Sequence, residues 1–380
     1  MKSVVCEMFG IEFPLFAFSH CRDVVVEVSK AGGFGVLGAV DVRSPEQFET
    51  ELKWIDEHID GKPYGVDFIV PQKYEGKGRD ISHETAAAGI PQNYKDFARD
   101  ILRKHNIDPS DLTDERFERG SKISRNIRDS GAQSLLDVAL SHPIRLVANA
   151  LGTPPAYMLE SSRKAGIPVA ALVGAPEHAV KQAKAGVDVI IAAGTEAGGH
   201  CGEIGTLVLV PEVIEALKAA GSTVPVLAAG GIVTGRQMAA CMAMGAAGAW
   251  TGSVWLTTPE AETLPVIKEK MLAATSRGTI RSKSRTGKFC RQLRSGWTEA
   301  WEAEDALKPL PMPLQSIISD TCMKKVLKLA EGGHPGAKEL ASYFVGQGVG
   351  LMQSSQNTRG VVRDFMLDYL EAVERLQATL

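Results

Sequence analysis

Val187-Asp188-Val189-Ile190-Ile191-Ala192-Ala193-Gly194-Thr195-Glu196-Ala197-Gly198-Gly199-His200-Cys201-Gly202 is a short apolar run that opens into a glycine-rich turn holding one histidine. The run is apolar on both faces, as a parallel strand covered on both sides must be. Four glycines, Gly194, Gly198, Gly199 and Gly202, fall within nine residues after it. Without a Cβ, they let backbone approach a ligand closely, so the segment is expected to be a mobile loop at the carboxyl end of a buried strand.

The same rhythm recurs on either side. Phe13–Phe18, Phe34–Leu37 and Tyr64–Val70 read as strands one to three, Ile144–Asn149 and Pro168–Val173 as four and five, and Val224–Ala229 and Ala247–Trp250 as seven and eight. Helices are expected between them. Ser44-Pro45-Glu46-Gln47 opens one with a serine cap and a proline at the first helical position, and Thr234 with Gln237 forms a capping-box pattern for another. Thr153-Pro154 is expected to cap the helix after strand four, and the helix after strand six is expected from Pro211 to Ala220. Eight strands alternating with helices through short linkers predict a (β/α)8 barrel, a TIM barrel. An open doubly wound sheet is disfavoured because no GxGxxG turn follows the first strand.

Two segments break the rhythm. Residues 72 to about 142 are polar and charged, with helical stretches near Gln92–His105 and Asp114–Ser130, and read as a helical insertion covering the active-site end. After residue 277 the chain reads as irregular and then helical. The expected organisation is a barrel over 1–276, carrying the insertion, and a C-terminal extension over 277–380 packed on it.

Composition narrows the function. Hydrophobic residues are 44% and charged residues 23%, ordinary for a globular enzyme, and a net charge of -3 gives no general attraction to nucleic acid or anionic membrane. The six cysteines form no CxxC pair, which argues against a zinc site or disulfide framework and suits reduced thiols in a cytoplasmic protein. No apolar run reaches membrane-spanning length, and Met1–Glu7 does not begin a signal peptide. The expected partner is a small-molecule substrate, with a homodimer as one allowed assembly.

In such a barrel a phosphate is often held by the loops after strands seven and eight. Gly230-Gly231 and Gly252-Ser253 stand at those two places. Either pair alone could simply make a tight turn; both together favour a phosphate cradle of backbone N–H groups. His200 is the candidate catalytic residue, since an imidazole can take or give a proton near neutral pH, although a lone loop histidine can also be merely solvated. His20, after strand one, could be a second acid–base or substrate contact or a helix-cap residue. Cys201 is read as structural. Arg277, Arg281, Lys283, Arg285, Lys288, Arg291 and Arg294 form a basic run without an acid. It lacks the interleaved aromatics of a nucleic-acid site. Lys288 or Arg291 could steer an anionic substrate there, or the run could be a solvated face.

Ala192–Gly202, Val226–Val233 and Gly248–Leu256 resemble the flavin-dependent nitronate monooxygenase family, once called 2-nitropropane dioxygenases, which also holds NAD(P)H:quinone reductases and flavin enoyl reductases. Gly10–Pro14, Val28–Gly38, Lys62–Asp67 and Gly346–Gly350 continue the likeness. The resemblance implies a flavoprotein oxidoreductase that binds FMN. The phosphate is expected on Gly231, Gly252 and Ser253. The ring is expected near Ala17, Phe18, Asp67, Ala193, Gly194 and Gly199, with Gly198 and Gly230 beside it. His200 falls on the family's histidine next to the flavin, a base or hydrogen-bond donor to substrate. No metal is expected.

The chain departs from the family pattern in three places. Phe16-Ala17-Phe18-Ser19-His20 stands where nitronate-oxidising members carry Gln-Ala-Pro-Met, Asp67 where many carry asparagine, and Ala193 where many carry glutamine. An aspartate at 67 is anionic unless buried, and a nitronate is an anion too. The implied activity is oxidation of alkyl nitronates with dioxygen. Its alternatives are reduction of a quinone or enoyl thioester with NADH or NADPH as electron donor, and a non-catalytic flavin- or phosphate-binding protein.

Overall fold

The computed structural model describes residues 1–42, 44–71, 89–118 and 129–380. Its core is a closed barrel of eight parallel strands: β1 (Leu15–Ser19), β2 (Phe34–Gly38), β3 (Tyr64–Ile69), β4 (Leu146–Ala150), β5 (Val169–Val173), β6 (Val189–Ala193), β8 (Val226–Ala229) and β9 (Gly248–Thr251). β9 closes on β1, Leu15 lying opposite Ala249 and Ala17 opposite Thr251. The eight expected strands and the (β/α)8 class are therefore those observed.

Alternation along each strand sorts the side chains. Phe16, Phe34, Val36, Leu146, Ile191, Leu227 and Trp250 fill the barrel interior, while Leu15, Ala17, Ile190, Ala192 and Ala228 face the surrounding helices. The amino end is plugged by a short helix, Val4–Phe9, which the sequence reading missed. Its Phe9 ring meets Phe16 at 5.4 Å and Phe34 at 5.1 Å between centroids.

Local signals placed several helices correctly. Ser44 accepts a hydrogen bond from Gln47 N at 3.3 Å to start helix Pro45–His58, and Thr234 with Gln237 makes the expected capping box for helix Gly235–Ala243. Other expectations are corrected. The helix after β6 begins at Thr206, with Pro211 inside it, because the Glu196 carboxylate caps it from ten residues upstream, accepting from Thr206 N at 2.9 Å and Thr206 Oγ1 at 2.9 Å. The helix after β4 is Ala156–Lys164, entered from Pro155.

The insertion is also shorter than expected. Helix Gln92–Lys104 is in place, but the stretch expected over Asp114–Ser130 is a short helix Asp114–Glu118 and the start of a separate helix, Asp129–Leu140. Residues 119–128 of that expectation lie outside the described residues. Asp129–Leu140 is the barrel's own third helix: Leu135, Leu136 and Ala139 pack with Phe48, Leu52 and Ile55 of helix Pro45–His58. His142, just after it, is held between Asp56 Oδ2 at 2.6 Å and Glu49 Oε2 at 2.9 Å.

The segment after residue 277 is not irregular. β10 (Thr279–Ser282) and β11 (Cys290–Leu293) form an antiparallel hairpin, and a two-residue strand, β7 (Gly199–His200), adds to its edge. The loop bearing His200 is thus strand-paired, not the mobile loop expected. Helix Leu314–Glu331 follows, and helix Thr358–Gln377 ends the chain against Gly235–Ala243. There Asp368 accepts from Arg236 N and Arg236 Nε, both at 2.7 Å. Among the described residues, no helix is long and apolar enough to cross a membrane.

At Gly235 a Cβ would stand 1.8 Å from the Phe365 carbonyl oxygen, so only glycine lets the last helix seat. Gly235→Ala is expected to lose about 2 kcal/mol or more of stability, as overpacking against backbone does. It should also expose Thr358–Gln377 to protease; urea unfolding and limited proteolysis check both.

Candidate active site

The carboxyl ends of the strands gather most of the predicted site. Phe18, half-buried, stacks on Trp250 with centroids 6.5 Å apart and meets His20 edge-on at 5.1 Å. His20 Nδ1 lies 3.2 Å from Gly38 O, which holds the imidazole over the end of β2. Ala17 is fully buried on the helix-facing side, so only its backbone belongs to the mouth. Ala193 ends β6 in the interior cluster.

Asp67 is 5% exposed, and its Oδ1 has no hydrogen-bond partner. Burial raises its pKa to about 8, only partly countered by a backbone hydrogen bond from Phe68. It is therefore predominantly the neutral acid at pH 7.

The loops after β6 and β8 pack on one another. Gly194 N donates to Ala229 O at 3.0 Å, and Thr206 Oγ1 lies 3.0 Å from Gly230 O. A Cβ on Gly194 would stand 2.2 Å from Thr206 Oγ1, so this glycine is needed for that contact. Gly231 has φ 70°, a left-handed conformation that favours glycine. Gly252 faces open space, the nearest atom to a Cβ there being Phe18 Cδ1 at 3.9 Å. Ser253 Oγ accepts from Gly346 N at 2.8 Å. The chain at Gly346–Gln347 crosses the β6 loop, Gln347 N donating to Glu196 O at 2.9 Å, and Gly198 lies directly under Gly346. Gly252 thus stands open at the end of β9, whereas a Cβ on Gly231 would stand 3.0 Å from Glu196 Cβ, and Gly194, Gly198 and Gly230 also have packing reasons to be glycine.

His200 lies on β7 opposite Cys290, and Gly199 opposite Arg291. His200 Nε2 is 2.9 Å from Thr286 Oγ1 in the turn between β10 and β11. Burial of the ring, with the Lys288 ammonium nearby, pushes its pKa down to about 4, so the imidazole is neutral at pH 7. Arg291 is buried, its Nε donating to Thr195 O at 2.7 Å and its Nη1 to Thr279 Oγ1 at 3.2 Å. It clamps the loop ahead of His200. Lys288 is half-buried in the turn beside Thr286. The burial of the Cys201 thiol raises its pKa, so it is no ready nucleophile.

Thr286 and Tyr343 escaped the sequence reading. Tyr343 is largely buried, which with Asp41 raises its pKa to about 12; Arg285 acts against them. Nothing local marks either residue, because each reaches the mouth only when the C-terminal segment folds back. A cavity of about 790 Å³ opens at the other end of the barrel beside Val4, Met8 and Arg163. None of the predicted site residues lines it. Among the described residues, no cluster of side chains could hold a metal ion.

The sequence pattern of the family described as nitronate monooxygenase matches residues 2–368. A Mycobacterium tuberculosis protein named "Putative monooxygenase Rv1533" is 51% identical over 380 residues, covering 99% of each chain. A Staphylococcus aureus "Probable nitronate monooxygenase" is 24% identical over 360 residues, covering 91% of each. Among solved structures, the nitroalkane oxidase of Streptomyces ansochromogenes is similar at a TM-score of 0.77 and 25% identity, covering 98% of this chain and 100% of that one. FabK from Thermotoga maritima is similar at 0.72 and 25%, covering 100% of both.

The state of Asp67 has a measurable consequence. Unfolded, it loses its proton near pH ~4; folded, it keeps it up to about 8. Between these limits the folded state binds more protons, so this residue lowers stability as pH rises. Asp67→Asn is expected to raise the unfolding temperature by about 2 °C or more at pH 8 and to change it little at pH 4. Thermal unfolding at the two pH values checks it.

Proposed function

The chain belongs to the nitronate monooxygenase family, and on that premise we propose that it is an FMN-dependent oxidoreductase that oxidises alkyl nitronates with dioxygen. The reading is supported by three features at the carboxyl ends of the strands: open space at Gly252, a buried neutral acid with an unpartnered oxygen, and a neutral histidine. Gly231, Gly252 and Ser253 would hold the phosphate through backbone N–H groups. The orphaned Asp67 Oδ1 fits a polar edge of the flavin ring, because a buried polar atom left unpaired is costly and a ring edge can satisfy it. Bound there, FMN supplies the chemistry of accepting electrons from the substrate and passing them to dioxygen.

The chain's own groups do the rest. His200, neutral at pH 7, hydrogen-bonds to the nitronate, which is already deprotonated, without adding a positive charge. Asp67, protonated, does not repel an anionic nitronate. Lys288, in the turn beside Thr286, brings a positive charge near His200. Phe18 and Trp250 present an apolar floor that keeps water away from the reacting atoms.

Anaerobic mixing with alkyl nitronates should bleach the flavin, and NADH or NADPH should not. Bleaching by a nicotinamide and not by nitronates would overturn this reading for a reductase, and a protein that cannot be reconstituted with FMN would overturn both. His200→Ala is expected to retain FMN and to slow flavin reduction by a nitronate about tenfold or more, the scale of a lost hydrogen bond to a charged group. Single-turnover stopped-flow measures it. Gly252→Asp puts a carboxylate into the cradle where space is open and φ is -135°. It is expected to weaken FMN binding at least about tenfold through charge repulsion; titration of the apoprotein with FMN reads this without an activity assay.

A further inference from the structure

We propose that the amino-terminal face of the barrel seats a second copy of this chain, packed about a two-fold axis beside helix Val4–Phe9. The inference stands apart from the proposed reaction, because it concerns the end of the barrel away from His200.

The helix carries the argument. Its sequence, Val4-Val5-Cys6-Glu7-Met8-Phe9, is apolar at five of six positions. A helix that is apolar nearly all round is suited to be covered nearly all round. The barrel covers one side only. Val5, Cys6 and Phe9 pack in the interior cluster with Phe16 and Phe34, while Val4 remains 56% and Met8 39% exposed. These two are four residues apart and so share the outer face. The helix is also firmly held. Ser3 Oγ donates to Ala247 O, Gly10 N donates to Cys6 O at 2.9 Å, and the Phe9 ring meets Phe16 and Phe34. The outer face therefore has a fixed shape and needs no ordering when a partner arrives.

Val4 and Met8 line the cavity of about 790 Å³ together with Val224 and Pro225, which lead into β8. Two exposed side chains of opposite charge line it too: Glu7 from the helix and Arg163 from helix Ala156–Lys164. Neither side chain has an ion pair or a hydrogen bond among the described residues. A two-fold axis passing between them exchanges their positions. It sets Glu7 against the partner's Arg163 and Arg163 against the partner's Glu7, so one contact is made twice. The same rotation brings the two outer helix faces to the contact, where their apolar area leaves water. A patch that is apolar and holds both signs of charge is complementary to itself. An anionic membrane or an acidic protein would meet Glu7 and Asp188 in the same groove, and a basic one would meet Arg163.

Sedimentation equilibrium of the full chain over a range of concentrations tests this. Wild type should be a dimer at micromolar concentration. Val4→Glu and Met8→Glu, whose side chains stand in solvent in a single copy, should each weaken dimerisation about tenfold or more by placing an unmatched charge in the contact. Their far-UV circular dichroism should match wild type. Glu7→Arg and Arg163→Glu should each weaken it about tenfold, as like charges meet across the axis, and the double variant should return to within about threefold of wild type. That rescue separates pairing between copies from a fault in folding. A wild-type chain that stays monomeric would overturn the proposal, whether or not the same face then binds phospholipid vesicles or another protein. So would a dimer that Val4→Glu leaves intact, or a double variant that associates no better than its single parents. Flavin binding and reduction should be the same in all these variants, so failure of the proposed reaction leaves this test untouched.

Discussion

Two residues of backbone pairing hold the site together. Gly199 and His200 leave the end of β6 and add, as β7, to the edge of the β10–β11 hairpin opposite Arg291 and Cys290. A glycine-rich loop would otherwise pay a high entropic cost to keep one conformation. Here the ladder, Arg291 on the Thr195 carbonyl, and Gln347 on the Glu196 carbonyl tie down the loop from the C-terminal side. The helix cap of Glu196 on Thr206 ties it from the other. Every group that defines the position of His200 depends on this closure, so the segment after residue 276 completes the mouth that the barrel begins.

The barrel interior imposes a second constraint. Its lower layers are filled by Phe16, Phe34, Leu146 and Leu227, with Phe9 as a plug. Asp67 enters that apolar space from β3 with one oxygen unpaired, and desolvation drives it to the neutral form. The same desolvation acts on His200 with the opposite consequence for charge, since burial disfavours the imidazolium. Asp67 and His200 are thereby both neutral at pH 7, and the Lys288 ammonium acts on His200 from the hairpin turn. That balance suits an anionic ligand better than the bare presence of an aspartate suggested.

The sequence by itself determined the barrel. Apolar runs bounded by glycine and proline, and caps at Ser44 and Thr234, are read from neighbours within four residues, and the structure keeps them within a residue or two. It also marked the two glycine pairs and His200, because their placement at strand ends follows from counting strands. Only the tertiary structure decided what surrounds them. Thr286 lies 86 residues from His200, Glu196 starts a helix ten residues on, and β10–β11 forms where the chain read as irregular. Periodicity is a local signal, whereas a hydrogen bond between distant residues or the proton on a buried carboxyl depends on how the closed chain excludes water.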